Sequence, residues 1–337
     1  MIAPGRVTID DVAREAGVSK GTVSRVLNGK NWVSPTTRDA VERALRATGF
    51  VANASARSLA RRRTGSIALV LGEPATRLFT DPNYALILQV LTDELAIADY
   101  SLVFMTAANL GDRDRLVRFL RGGHVDGLAF LTAGEASHDD LVDLMEQQTI
   151  PVVVAGRPFP LGDPLPYVSA DESAGGRIMA AHLRDRGYGR IGVIGTHLES
   201  LAARTRVEAF LAEAGDRSGP DLLEEAADYS FEAGGEALRR LLTRRSDLDA
   251  VFAASDLLAA GALDAAHALG RRVPDDLAIA GYDDSTIAER TTPPLTTVRQ
   301  DVAAVARAMV AQLLAAIDGG EVSSQQLPVE LVVRDST

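Results

Sequence analysis

The chain has no cysteine in 337 residues, which excludes a disulfide framework, thiolate metal ligands and a thiol nucleophile. Aromatic residues are only 5% of it and tryptophan occurs once, as Trp32, so no indole elsewhere can stack on a ligand. No apolar run is long enough to cross a bilayer, and the first residues lead straight into a capped helical pattern with no secretory signal before it. These absences predict a soluble cytoplasmic protein. The five histidines, at 124, 138, 182, 197 and 267, show no i,i+4 metal pairing. Gly192-Val193-Ile194-Gly195 is too short for a dinucleotide fingerprint, and no phosphate-binding lysine loop occurs. The expectation is no catalytic residue, no metal and no cofactor.

Positive charge is in deficit overall, at net −11, but unevenly so. Residues 1–64 hold twelve Lys and Arg against five acids, a net of +7, which leaves −18 for the remainder. A basic head on an acidic body suits a nucleic-acid-binding module joined to something that avoids the phosphate backbone.

The head carries the most informative stretch, residues 8–28. Thr8 with Asp11 forms a capping-box pattern, Val12, Ala13 and Ala16 share a helical face, Gly17 suits a left-handed stop, and Ser19 caps a second helix. On that helix Val23, Val26 and Leu27 point inward and Lys20, Gly21, Ser24 and Arg25 outward. Two short helices joined by a tight turn place a helix in the DNA major groove. A third helix follows, capped by Ser34, with Pro35 in its first turn, Val41, Ala44 and Leu45 as its stripe and Gly49 as its stop. Gly17-Val18-Ser19-Lys20-Gly21 also matches a hydrolase nucleophile elbow, but that elbow needs a strand before the serine and a helix stands there instead.

Residues 51–64 form a segment shorter than the roughly 12–15 residues at which an isolated helix becomes marginal in water. Asn53 can cap it, and Ala54, Ala56 and Ala60 favour helix. Paired on DNA, two copies would let Leu59 wedge into the minor groove while arginines meet phosphates; the alternative is a solvated linker. From residue 66 strand-like runs at 67–71, 102–106, 127–131, 151–155, 167–170, 191–194, 250–253 and 277–281 alternate with amphipathic helices such as 84–98, 113–121, 174–186, 204–214, 234–242 and 257–269. That alternation predicts two doubly wound parallel sheets, with a ligand cleft at the carboxyl ends of the strands.

Over essentially its full length the chain resembles the lactose-repressor-like (LacI/GalR) family of bacterial transcription regulators. The matching elements are Val7-Thr8-Ile9-Asp10-Asp11-Val12-Ala13, Gly17-Val18-Ser19, Thr22 to Asn28, Asn53 to Leu59, Val125-Asp126-Gly127, Ala203-Arg204-Thr205-Arg206, Ala254-Ser255-Asp256, Gly281-Tyr282-Asp283-Asp284 and Pro293 to Gln300. The resemblance implies an α/β protein with an all-α helix-turn-helix headpiece (1–50), a hinge helix or linker (51–64) and a body like the periplasmic sugar-binding proteins (65–337). The lobes implied are about 65–163 with 293–325, and 164–292 with 326–337. It further implies a homodimer or tetramer on a near-palindromic double-stranded operator, usually a repressor, controlled by a small effector such as a sugar.

The DNA-binding positions implied are Thr8, Ser19, Lys20, Gly21, Thr22, Ser24, Arg25 and Asn28, with Asn53, Ala56, Arg57 and Leu59 in the hinge. Lys20, Gly21 and Arg25 fall where bases are read; Lys and Arg suit guanine edges, and Gly21 has no side chain to read with. The effector contacts implied are Arg204 and Asp283, then Asp256 and Tyr229, with Phe79, Arg157 and Ser255 completing the set. A structural ion pair is the alternative role for Arg204 and Asp283. Two positions depart from the common family pattern: Ser255 replaces an asparagine and Gly156 an aspartate, and the loop Gly72 to Pro82 is longer than usual. Free-standing sugar-binding proteins share such a body without the basic head, and the enzyme reading lacks a catalytic constellation.

Overall fold

The computed structural model describes residues 7–27, 33–50, 63–131, 144–145, 147–157, 165–196, 198 and 201–337. The chain divides into two compact units, Met1–Thr64 and Gly65–Thr337.

The first unit contains α1 (Ile9–Ala16), α2 (Lys20–Leu27) and α3 (Pro35–Thr48). At its start the Thr8 N–H and hydroxyl both donate to the Asp11 carboxylate, at 2.9 and 2.7 Å. Gly17 then turns the chain at φ 66°, a left-handed value that a side chain would penalise. The Ser19 hydroxyl accepts from the Thr22 N–H, and the Ser34 hydroxyl from the Thr37 N–H, both at 3.2 Å. Val12, Val23 and Val41 meet with no solvent exposure, joined by Ala13 and Ala44. So small a core depends on its caps. Replacing Ser34 by alanine is expected to cost this unit about 1 kcal/mol, read as a lower denaturation midpoint in the fluorescence of Trp32, the chain's only tryptophan.

In the second unit the strands are β1 (Ser66–Leu71), β2 (Ser101–Thr106), β3 (Gly127–Leu131), β4 (Val152–Ala155), β5 (Tyr167–Ala170), β6 (Ile191–Gly195), β7 (Leu223–Glu225), β8 (Ala250–Ala253), β9 (Ala278–Ala280), β10 (Thr297–Gln300), β11 (Gln325–Leu327) and β12 (Val329–Val332). One parallel sheet runs β11-β5-β4-β3-β1-β2 and another β7-β6-β8-β9, while β10 and β12 pair antiparallel. The central strands β1, β3, β4, β6 and β8 read as unbroken apolar runs because both faces are covered. In β1, Ile67, Leu69 and Leu71 pack with the Pro82–Ile97 and Val302–Ile317 helices, whereas Ala68 and Val70 pack with Leu116 and Leu120 of the Leu110–Arg121 helix. The second sheet is sandwiched likewise. Phe252 and Val193 face Phe210 and Met179, and Val251 and Ile194 face Leu238 and Leu258.

The lobe boundaries differ from the sequence expectation. Tyr167–Ala170, expected in the second lobe, hydrogen-bonds between β4 and β11 in the first sheet. Residues 293–300, expected in the first lobe, lie with the second: Leu295 packs in its core and the Gly281 N–H donates to the Thr296 carbonyl at 2.9 Å. The chain therefore crosses between lobes after β5, after β10 and between β11 and β12. Two of these crossings run into helices capped by aspartates, Asp171 and Asp301, each accepting from a backbone N–H three residues on. Strands of three or four residues, such as β7, β10, β11 and β12, are too short to announce themselves by periodicity.

Candidate functional site

In the first unit Ser19, Lys20, Gly21 and Arg25 are exposed along one side of α2, and Thr22 and Ser24 are half-buried. The Ser19 hydroxyl is engaged in the cap and with the Thr22 hydroxyl at 2.9 Å. Thr8, exposed at the start of α1, has its hydroxyl on Asp11. The Lys20 ammonium rests on Asp10 at 3.0 Å, a solvated pair worth little and readily exchanged for a phosphate or a base. Asn28, Asn53, Ala56, Arg57 and Leu59 lie outside the described residues.

The second unit has a cleft at the carboxyl ends of β3, β4 and β5, where doubly wound sheets place their ligands. The first-lobe wall is small and apolar, with Leu131, Ala155, Gly156, Val168 and Ala170, and the second lobe contributes Glu172, Arg206, Tyr229 and Asp283. The hollow between these two walls opens to solvent on one side.

Arg206 is the centre of the second-lobe wall. Its side chain is only 7% exposed. Its Nε and Nη2 donate to Glu172 Oε2 at 2.8 and 2.7 Å, and its Nη1 donates to the Ala254 carbonyl. The Tyr282 ring lies 3.5 Å beneath the guanidinium, and Asp283 Oδ1 stands 4.0 Å away. Burial works against the charge on Arg206, but Glu172 and its other neighbours outweigh it and raise the pKa above the ordinary value. The helix Glu172–Asp185 comes this close only because it carries two glycines: a Cβ on Gly175 would stand 2.3 Å from Tyr282 Oη, and one on Gly176 2.3 Å from the Arg206 carbonyl.

Asp283 takes a φ of 115°, a value side chains rarely adopt and one that concentrates at working sites. The Gln300 amide donates to its Oδ1 at 2.6 Å. Burial drives its pKa well above the carboxylate range, with Arg206 and Gln300 pulling the other way. A carboxyl so placed can both donate to and accept from a ligand hydroxyl. Its neighbour Asp284 is held instead by Arg299 and Arg334, each at 2.6 Å.

On the first-lobe side Arg77 spans Glu73 at 2.7 Å and Asp81 at 3.1 Å, reaches the Tyr229 carbonyl at 3.4 Å, and sits 5.3 Å from the Tyr84 and Tyr229 ring centroids. Burial pushes the Tyr229 hydroxyl up to about 12, so it remains a donor.

The expected effector set divides. Tyr229 and Asp283 line the cleft; Phe79, Arg157, Arg204, Ser255 and Asp256 do not. Phe79 is 87% exposed, because the one-turn helix Arg77–Thr80 turns Arg77 inward and Phe79 out. Arg157 follows Gly156 just after β4, and its buried Nε has no hydrogen-bond partner among the described residues. Ser255 caps the Asp256–Ala268 helix, accepting from the Leu258 N–H at 3.2 Å. Asp256 accepts from the Thr297 hydroxyl at 2.6 Å and the Ser285 N–H at 2.7 Å, joining the Asp283 turn to β10. Arg204 is turned away from the wall and reaches Glu208 at 3.9 Å. Two residues along a helix is a rotation of about 200°, so Arg204 and Arg206 cannot share a face. A signal was present: Ala203, Arg206, Val207, Phe210 and Ala214 form the buried stripe of the Leu201–Ala214 helix. Asp81 and Glu172 carry no comparable mark in the sequence. Among the described residues no group of three or more potential metal ligands comes together, and no helix is long and apolar enough to cross a membrane.

The HTH-type transcriptional regulator CelR of Thermobifida fusca is 39% identical to this chain over 339 residues, 98% of each protein. The chain belongs to the LacI family of bacterial regulatory proteins. Residues 8–53 match that family's own description, and residues 180–337 match the periplasmic binding protein-like domain. A solved CelR–cellobiose complex is 37% identical, covering 98% of this chain and all of the other, with a TM-score of 0.77. The lac repressor dimer bound to operator and the anti-inducer ONPF is 27% identical over 98% of each chain, with a TM-score of 0.85. This LacI-family protein is a DNA-binding transcriptional regulator and not an enzyme.

Proposed function

We propose that the regulator grips a near-palindromic operator as a homodimer, acts as a repressor in the cytoplasm, and changes its grip when a sugar or related metabolite enters the cleft. One observation carries the effector half of this reading: a buried guanidinium, Arg206, and a buried carboxyl, Asp283, face the same cleft between two lobes. Hydroxyls are the groups that satisfy both, and Tyr84 and Tyr229 supply ring surface beside them. The complexes of CelR with cellobiose and of the lac repressor with operator support the same division of labour. A ligand that prefers one lobe arrangement shifts the equilibrium by its differential affinity, and a coupling of about 1–3 kcal/mol changes operator affinity roughly 5–150-fold.

The test is a titration of genomic operator fragments with the full-length protein, with and without cellobiose and a panel of other sugars. Affinity that falls steeply with salt, and shifts with one of the sugars, is the expected result; operator affinity indifferent to every sugar at saturation would remove the effector half. In the same assay Arg25→Ala and Lys20→Ala are each expected to lose about 1–3 kcal/mol of operator discrimination. An equal loss on operator and random DNA would show that these side chains touch only phosphate.

A further inference from the structure

We infer that this cleft takes an uncharged polyol and excludes phosphorylated sugars and sugar acids, because both guanidiniums of its wall are already neutralised by carboxylates. The inference rests on the reading that the cleft holds the effector. Anionic metabolites are usually gripped by an arginine fork whose charge no protein carboxylate has already answered. Here three of the five N–H groups of each guanidinium have protein partners, and both charges face carboxylates. Arg206 places Nε and Nη2 on Glu172 and Nη1 on the Ala254 carbonyl. Arg77 places Nε on Glu73, Nη2 on Asp81 and Nη1 on the Tyr229 carbonyl.

Charge balance points the same way. Glu73, Asp81, Glu172 and Asp283 surround two guanidiniums, and with Asp283 protonated three carboxylates still do. The flanking hollow on one side brings in Asp228 and Glu232; on the other, Asp284 is already answered by Arg299 and Arg334 and Asp301 caps its helix. A phosphate entering this space would have to break a buried ion pair or stand beside uncompensated carboxylates, and either costs more than its own pairing returns. A hydroxyl meets no such penalty, since it can donate to the carboxylates and accept from the Gln300 or Asn83 amides, which also line the cleft.

Inorganic phosphate and glucose 6-phosphate, against glucose and cellobiose, test the assignment by calorimetric titration of the full-length protein. In the wild type no phosphate binding that depends on Arg77 is expected. In Glu73→Gln/Asp81→Asn, where the amides keep the shape and remove the charge, a phosphate site at least about tenfold tighter is expected. Adding Arg77→Met should abolish it. If the double variant does not fold, by circular dichroism, Asp81→Asn alone serves, because asparagine caps a helix as well as aspartate does. Wild-type protein that binds phosphate or glucose 6-phosphate through Arg77 or Arg206 overturns the inference, as does a charge-depleted variant with unchanged phosphate affinity. Should no neutral sugar bind either, the sugar reading falls, and the Arg77-dependent phosphate titration still decides the charge selection.

Discussion

Replacing Arg206 by alanine is expected to lower the stability of the second unit by about 3–5 kcal/mol. The magnitude comes from what stays behind. Glu172 is buried against Arg206, with only 12% of its side chain exposed, and without its partner a carboxylate would stand in a low-dielectric wall with its charge uncompensated. The Ala254 carbonyl and the face of the Tyr282 ring lose their cation as well. Urea unfolding followed by circular dichroism measures the loss. Arg206→Met combined with Glu172→Leu should recover most of it, since exchanging both members of a buried pair for apolar groups of similar volume is close to neutral. The double variant should nonetheless fail to respond to any effector, which separates the residue's structural role from its role at the ligand. A single alanine variant as stable as the wild type would show that Glu172 finds another partner and that its charge does not depend on Arg206.

Raising the pH from about 5 to about 8 is expected to destabilise the protein, by on the order of 3 kcal/mol. Burial pushes Asp256 up to about 7, against hydrogen bonds from Thr297 and Ser285 that favour its charged form. In the unfolded chain the same carboxyl titrates near 3.8. The folded protein therefore keeps a proton that the unfolded chain has released. The stabilisation from that proton is complete below the unfolded value and is lost as pH climbs through the folded one. Asp283 and Asp81, both raised chiefly by burial, act in the same direction. Asp276, held down to about 2 by Arg272, acts oppositely only in acid, below this window, whereas His182, lowered chiefly by burial, acts oppositely within it and offsets part of the loss. The measurement is the unfolding free energy across that window for the wild type and Asp256→Asn. The variant's amide does not titrate, so its curve should flatten by about 1.4 kcal/mol per pH unit near pH 6. Wild-type and Asp256→Asn curves of equal slope between pH 5 and 8 would sink the assignment of a protonated Asp256.

The headpiece was legible almost residue by residue, because every signal in it is local. Caps at Ser19 and Ser34, the left-handed Gly17 and the stripe through Val12, Val23 and Val41 are set by neighbours within a turn or two. The parallel strands were legible for a related reason, since a run apolar on both faces has few other uses. Their lobe membership was less so. Tyr167–Ala170 belongs to the first sheet through pairing with β11, more than 150 residues later in the chain, and no local pattern encodes that partner.

The cleft wall is only partly legible in the sequence. Asp283 and Tyr229 line it as the resemblance implies, but Arg206 enters it where the resemblance points to Arg204, the former lying on the buried stripe of the Leu201–Ala214 helix. Asp256 lies in an equally suggestive motif and is used to fasten the Asp283 turn to β10. By itself, then, the sequence determined the elements, the division into a basic head and an acidic body, and the family. Only the tertiary structure decided which arginines face the cleft and which carboxylates neutralise them. Glu172 meets Arg206 across 34 positions and Tyr229 meets Arg77 across 152. Charge compensation depends on distance in space, and periodicity along a chain says nothing about separations of that length.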